Sequence, residues 1–220
     1  MKQIALVGVT VNTIDPMTRA LAGRDVKAVH YLDTYILEKH RKEGGMTDDC
    51  MRRMVNMVSH ACEDGAEGII ITCTIFSQYV GCFRKMFSAP IVAADAAMME
   101  RAGNMGGRIA LLCTFEGTRE ISYRQLEACC QAGGNAYEIV PFVLQNAYEE
   151  AQKSNLEGHN QIIWEKILEI DEDFDQIVLA QMSMANGAEG IKTKRARVLA
   201  SPGAALAAVM EEIEKREKSL

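Results

Sequence analysis

Basic residues are in short supply in this sequence of 220 residues, which has 24 Lys and Arg against 30 Asp and Glu and a net charge of −6. Proteins that bind nucleic acid present a basic face, so the composition argues against a nucleic-acid partner. The one basic cluster, residues 192–197, is short. We interpret it as a solvated loop, with anion binding as the alternative.

Long apolar runs are also missing. No stretch approaches the roughly 20 apolar residues that a membrane-spanning helix needs. The first residues lack the cleavage pattern of a signal peptide. We therefore expect a cytoplasmic protein without a membrane partner, and the length allows one large domain or two small ones.

Metal-ligand and nucleotide-binding motifs are absent as well. The seven cysteines include no CxxC pair and the four histidines show no HxxxH spacing, which argues against a disulfide framework and against a zinc site. No GxGxxG segment follows a predicted strand, and there is no P-loop. The sequence predicts reduced thiols, no metal and no cofactor.

The most informative segment is Gly68–Ile71 and the three residues that follow it, Thr72, Cys73 and Thr74. An apolar β-branched run bounded by glycine predicts a buried parallel strand, and a helix can begin just after it. Cys73 is then at the carboxyl end of a strand, where open α/β sheets bind ligands. A helix N-terminus favours anions and can lower the pKa of a thiol from about 8.5. Cys73 is thus a candidate thiolate beside an anion site, with packing as the alternative.

The chain alternates strands and helices in a pattern typical of parallel sheets. The first half predicts strands at residues 4–10, 26–32, 68–73 and 90–94, and a helix at residues 77–87. The second half predicts strands at residues 109–114, 137–140, 176–181 and 197–202. The first strand recurs at an offset of 105 positions and the third at an offset of 108, so the chain contains two copies of one unit.

This repeat predicts an α/β fold with two similar four-stranded parallel-sheet lobes, related by pseudo-twofold symmetry. The first lobe is residues 1–97 plus 199–220, and the second is residues 98–198. A helix near residues 96–102 and a glycine-rich loop at residues 103–107 link them. We expect the substrate cleft between the lobes. The counterpart of Cys73 in the second lobe is Gln181.

Motifs of a known family are found in both halves. Residues 65–74 are similar to a first-cysteine motif, residues 89–92 to the strand after it, residues 107–118 to a G-x-R-V-G-x-L-x-T-x-x-T segment, and residues 177–185 to a second-cysteine motif. Together they resemble the aspartate/glutamate/hydantoin racemase superfamily over nearly the whole chain. The sequence departs from the family at Gln181, which stands where the second thiol belongs.

The resemblance implies a cofactor-independent enzyme in which two cysteines flank the α-carbon of a small carboxylate or amino acid. It assigns Cys73 as base or nucleophile, and Gln181 holds the other catalytic position. The substrate carboxylate is expected to contact four residues: Asn12, Thr74, Thr114 and Thr118. For Thr118 the alternative is a helix cap, and for Asn12 a turn.

The amide of Gln181 does not titrate, which leaves three possible reactions open. The first is a one-thiol decarboxylase or lyase similar to the arylmalonate decarboxylases. The second is addition of a thiol to a double bond, as in the maleate isomerases. In the third, Glu116 or Cys113 supplies the second proton, against a solvated acid and a core thiol as the alternatives. Outside catalysis, the chain could be a carboxylate-binding protein without turnover.

Two other segments are open to more than one interpretation. Methionines recur on helix faces, at positions 51, 54, 57, 98 and 99. We expect a homo-oligomer, and these residues could form its interface, although methionine more often fills cores. The acidic residues 171–175 are interpreted as a solvated connection, with a cation site as the alternative.

Overall fold

The computed structural model describes residues 1–219. The chain forms two compact units. The first unit contains Met1–Ala94 and the chain from Pro202 onward, and the second unit contains Asp95–Ser201. Among the helices of residues 1–219, none is long and apolar enough to cross a membrane.

Each unit is built on one parallel sheet. The strands are β1 (Lys2–Gly8), β2 (Val26–Leu32), β3 (Gly68–Ile71), β4 (Ile91–Ala93), β5 (Gly107–Cys113), β6 (Tyr137–Val143), β7 (Gln176–Leu179) and β8 (Arg197–Leu199). The order is β2-β1-β3-β4 in the first unit and β6-β5-β7-β8 in the second. All neighbouring strands are parallel. The predicted pair of four-stranded parallel sheets is therefore confirmed.

Helices supply the crossovers that parallel strands require. They are α1 (Ile14–Leu21), α2 (Tyr35–Lys42), α3 (Asp48–Glu63), α4 (Thr74–Ser77), α5 (Val80–Met86), α6 (Ala96–Met105), α7 (Glu116–Gly133), α8 (Gln145–Gln152), α9 (Leu156–Ile170) and α10 (Ser201–Ser219). Short 3-10 segments lie at Val11–Thr13, Asp171–Asp173 and Met182–Ala188.

The core of the first sheet lies along β1 and β3. Ile4 pairs with Gly68 and Val7 pairs with Ile71. All four residues of β3 are buried, which explains why the strand is a continuous apolar run rather than an alternating one. The parallel register brings the residues after β1 and the residues after β3 to the same edge of the sheet.

The internal repeat extends to individual hydrogen bonds. The N–H of Gln3 donates to the carboxylate of Glu67 at 3.0 Å, and the N–H of Arg108 donates to that of Asp175 at 2.8 Å. At the other end of the strands, Thr72 N–H donates to the carbonyl of Val7. The same bond joins Ala180 to Leu112. The two units therefore use the same backbone plan from one end of the central strands to the other.

Two helices pack with the unit that does not contain the preceding strand. Helix α6 follows β4 of the first unit but packs against α7 of the second. Helix α10 follows β8 of the second unit but covers β3 of the first. A Cβ built on Gly68 would lie 2.7 Å from Val209 and 2.8 Å from Ile213, so glycine is what allows α10 to lie this close.

Two predictions of local structure were wrong. The predicted loop at residues 103–107 is helical as far as Met105, and Gly107 already belongs to β5. Glycine is required at position 103 of this helix, because a Cβ there would lie 2.4 Å from the backbone of Cys129 in α7. The helix predicted at residues 77–87 differs in two ways: α4 covers Thr74–Ser77, and a separate helix, α5, starts at Val80. The N–H of Tyr79 donates to the carbonyl of Phe76, which ends α4.

The acidic and basic segments are partners of each other. Arg195 donates to Asp175 at 2.8 Å and Lys194 pairs with Glu172. Asp171 is buried and accepts from the backbone N–H groups of residues 194, 195 and 196. The prediction of a solvated connection was therefore wrong for Asp171, since its carboxylate fixes the approach to β8.

The methionines divide between core and half-buried positions. Met54, Met98 and Met99 are at most 1% exposed. Met51 and Met57 are half-buried on α3. Burial of the first three fits core packing, and the oligomer stays a prediction.

Candidate functional site

Cys73 lies at the carboxyl edge of the first sheet, two residues beyond β3. It is the N-cap residue of α4, with extended backbone angles of φ −118° and ψ 115°. Its carbonyl accepts the N–H of Phe76 at 3.0 Å, which closes the first turn of α4. The side chain is 8% exposed, and none of the described cysteines forms a disulfide. The thiol is therefore held at a strand end, beside the N–H groups that open a helix.

The segment before Cys73 is fixed by a close approach between two strands. The hydroxyl of Thr72 donates to the carbonyl of Val7 at 3.3 Å. A Cβ built on Gly8 would lie 2.2 Å from that hydroxyl oxygen. Only glycine fits opposite Thr72, and the strand end that carries Cys73 depends on this fit.

Asn12 follows β1, the neighbour of β3, within the 3-10 segment Val11–Thr13. Its N–H donates to the hydroxyl of Thr10 at 3.3 Å, and the hydroxyl of Thr13 donates to the carbonyl of Thr10 at 3.1 Å. Asn12 is half-buried and Thr13 is buried. Thr74, the first residue of α4, is also half-buried at this edge. The first unit thus gathers Asn12, Cys73 and Thr74 at the ends of adjacent strands.

Gln181 has the same place in the second unit as Cys73 has in the first. It follows β7 by two residues and is the N-cap of the 3-10 segment Met182–Ala188, with φ −118° and ψ 139°. Its carbonyl accepts the N–H of Met184 at 3.0 Å, as that of Cys73 accepts from Phe76. An amide therefore stands at the backbone position where the first unit has a thiol.

The side chain of Gln181 is bound to Thr114, at the end of β5. Its Oε1 accepts the backbone N–H of Thr114 at 2.6 Å and the Thr114 hydroxyl at 3.2 Å. Thr114 is buried, at 3% exposure, and Gln181 is half-buried. The structure brings these two predicted site residues into direct contact. The N–H of Thr114 already has an acceptor within the protein.

Thr118 is buried in the first turn of α7. Its hydroxyl donates to the carbonyl of Phe115 at 2.7 Å, and its N–H donates to the same carbonyl at 3.0 Å. The hydroxyl bond repeats that of Thr13 to Thr10 in the first unit. Phe115 is the N-cap residue of α7 and Thr118 lies inside the first turn, so the helix-cap alternative was wrong, while a substrate contact stays a prediction. Thr13 was missed from the sequence, although its offset of 105 from Thr118 could have pointed to it.

The two groups considered as a second proton donor have opposite environments. Cys113 is fully buried inside β5, and this burial raises the pKa of its thiol to about 12. It is therefore a neutral core thiol at physiological pH. Glu116 is exposed at the start of α7 and pairs with Arg119 at 2.6 Å. The arrangement favours a core thiol and a solvated acid for this pair.

Within residues 1–219, no three His, Cys, Asp or Glu side chains converge as metal ligands. His159 is buried on α9 beside Asn160, and burial lowers the pKa of its imidazole. It lies near the start of α9, the helix that packs against the 3-10 segment Met182–Ala188 after Gln181. The groups that the strand ends themselves supply at the two edges are a thiol, an amide, hydroxyls and backbone N–H groups.

Comparison with known proteins supports the fold but reaches little beyond it. No protein-family model matches the sequence, and no curated protein matches it with significant sequence similarity. Solved structures do match. An aspartate racemase homologue from Pyrococcus horikoshii has a TM-score of 0.69 at 16% identity, covering 97% of this chain and 100% of its own. The chain therefore has the same fold as this aspartate racemase homologue.

Two further racemases agree with this assignment of the fold. The aspartate racemase of Picrophilus torridus has a TM-score of 0.72 at 14% identity, covering 97% of this chain and 95% of its own. The allantoin racemase of Klebsiella pneumoniae has a TM-score of 0.67 at 14% identity, covering 97% and 88% respectively. The resemblance predicted from the motifs is confirmed for the racemase fold, at identities that carry the architecture rather than the reaction.

Proposed function

We propose that this protein is a cofactor-independent enzyme that transfers a proton at the α-carbon of a small carboxylate or amino acid, with Cys73 as the transferring thiol. The observation that carries the proposal is the matched pair of positions at the two strand ends. Cys73 and Gln181 share the same N-cap geometry, but only Cys73 can titrate. The racemase fold of the neighbours supports this class of chemistry.

The surroundings of Cys73 suit such a reaction. Removing a proton next to a carboxylate places negative charge on the carboxylate oxygens, and aimed donors in a dry site stabilise that charge. We expect the N–H groups at the start of α4 and the side-chain amide of Asn12, which follows β1, to serve as these donors. The low exposure of Cys73 keeps water from the thiol.

A single thiol favours a reaction that needs only one proton-transfer group. A racemase must serve both faces of the α-carbon, whereas a decarboxylase or lyase can protonate one face of an enediolate. The bond from Thr114 to Gln181 supports this narrower alternative, because it engages the amide in a fixed hydrogen bond. We therefore keep the one-thiol decarboxylase or lyase as the second candidate function.

Exchange of α-hydrogens with solvent deuterium tests the proposal without a chosen product. Proton NMR in D2O would follow aspartate, glutamate, hydantoin, malonate and phenylmalonate. The proposal expects exchange or decarboxylation of at least one of them. Loss by about 10²-fold or more is expected in Cys73→Ala, the usual contribution of a general base.

The control is Cys82→Ala, because Cys82 is an exposed thiol on α5. Its loss should leave the rate unchanged. Equal rates in Cys73→Ala and wild type would contradict the role of Cys73. Binding of these compounds without exchange or loss of CO2 would favour a carboxylate-binding protein.

A further inference from the structure

The amide of Gln181 has a fixed orientation, which follows from its partner. A backbone N–H can only donate, so the group that faces Thr114 N–H must be the carbonyl Oε1 and not the NH2. The Thr114 hydroxyl donates to the same oxygen. An amide carbonyl has two lone pairs, and these two donors use both.

The NH2 of Gln181 is the part of the side chain left for a ligand. No acceptor for Nε2 is present among residues 1–219, and Gln181 is half-buried rather than fully solvated. With its carbonyl saturated, the side chain can donate two hydrogen bonds but accept none. The second unit therefore presents a donor at the position where the first unit presents Cys73.

We propose that Gln181 binds an oxygen of the substrate through its NH2, and that Thr114 is a positioning residue that aims this amide. The inference rests on the proposed function and deepens it. It requires the substrate to present a carboxylate or carbonyl oxygen at this point, and it excludes an ammonium group there, since an ammonium also only donates. The substrate group at this point is therefore an oxygen acceptor such as a carboxylate.

Calorimetric titration with malonate and with succinate tests this inference in the 220-residue chain. Gln181→Met keeps the length of the side chain and removes its donors. A hydrogen bond to a charged group contributes about 1.5–3 kcal/mol, so the dissociation constant should rise by about tenfold or more. Gln181→Glu should weaken binding further, because a carboxylate can accept from Thr114 but has no N–H to offer.

Unchanged or tighter binding in Gln181→Met would overturn the proposal, since it would mean that the amide only blocks the N–H of Thr114. A wild-type protein that binds neither malonate nor succinate would overturn it too. The positioning role is tested by Thr114→Val, expected to weaken binding about threefold, and by Thr114→Ser, expected to restore wild-type affinity. Equal losses in both variants would contradict it.

The two proposals fail in different experiments. Deuterium exchange that survives Cys73→Ala would refute the thiol and leave the amide untouched. Binding that survives Gln181→Met would refute the amide and leave the thiol untouched. Circular dichroism of each variant shows whether a loss of affinity comes from a loss of fold.

Discussion

The contact between Gly8 and Thr72 predicts that a substitution at Gly8 lowers stability and that a second substitution, at Thr72, restores part of it. In Gly8→Ala the new Cβ would lie 2.2 Å from the Thr72 oxygen. Thr72 is buried and β-branched, and its hydroxyl donates to Val7, so it cannot turn away freely. Overpacking of this kind costs about 1–3 kcal/mol. We expect the upper part of that range.

The second unit shows how the same space can be filled differently. The counterpart of Gly8 is Cys113 and the counterpart of Thr72 is Ala180. In the first unit the larger side chain of the pair follows β3, whereas in the second unit the larger side chain ends β5. The double variant Gly8→Ala with Thr72→Ala gives residue 8 a Cβ, as Cys113 has, and gives residue 72 the alanine found at position 180. Thr72→Ala alone removes one hydrogen bond, worth about 1 kcal/mol. The double variant should be more stable than Gly8→Ala, with a coupling of about 2 kcal/mol.

Urea unfolding followed by circular dichroism measures all four proteins of this cycle. For a chain of this size, the loss in Gly8→Ala corresponds to a melting temperature lower by roughly 4–10 °C. The reasoning would be refuted if Gly8→Ala stayed within about 0.5 kcal/mol of wild type. Strict additivity in the double variant would refute the compensation between the two strands.

Three further predictions concern single side chains. The pKa of Cys113 is raised to about 12, so the folded state holds this proton more tightly and stability falls as pH rises above about 9; Cys113→Ala should flatten that fall in urea titrations at pH 8–11. Burial would raise the pKa of Asp171, but three backbone donors outweigh burial and lower the pKa. Asp171→Asn should therefore lower the melting temperature at pH 7, and the difference from wild type should shrink below about pH 4, where the carboxylate becomes protonated. Gly103→Ala, 2.4 Å from the backbone of Cys129, should destabilise by about 2 kcal/mol or more in urea; Gly203→Ala, with no atom within 4 Å, should be neutral or stabilising.

The sequence predicted the features that periodicity and repetition carry. The apolar run of β3 and the offset between the two copies predicted both sheets. They also predicted that Gln181 holds the position in the second unit that Cys73 holds in the first. These features depend on local hydrophobic patterns or on the internal repeat, and both can be read from a single sequence. The second strand was predicted at residues 26–32, the bounds that the structure gives to β2.

Contacts between distant side chains were not predictable in the same way. The bond from Thr114 to Gln181 joins residues 67 positions apart, and its existence depends on a rotamer that no pattern encodes. Gly103 looked like a loop residue because glycine usually breaks helices. Its reason for being in α6 is the backbone of α7. Asp171 looked solvated because its three donors are more than 20 positions away.

Helices α6 and α10 each pack with the unit that does not contain the preceding strand, and this affects the order in which the chain can fold during synthesis. Helix α10 is made after the entire second unit, yet its residues Val209 and Ile213 pack on Gly68 of β3. During synthesis the second unit can close while one face of the first sheet is still bare. We therefore expect the first unit, which carries Cys73, to finish folding last, and a chain cut before residue 202 to leave that apolar face open to aggregation.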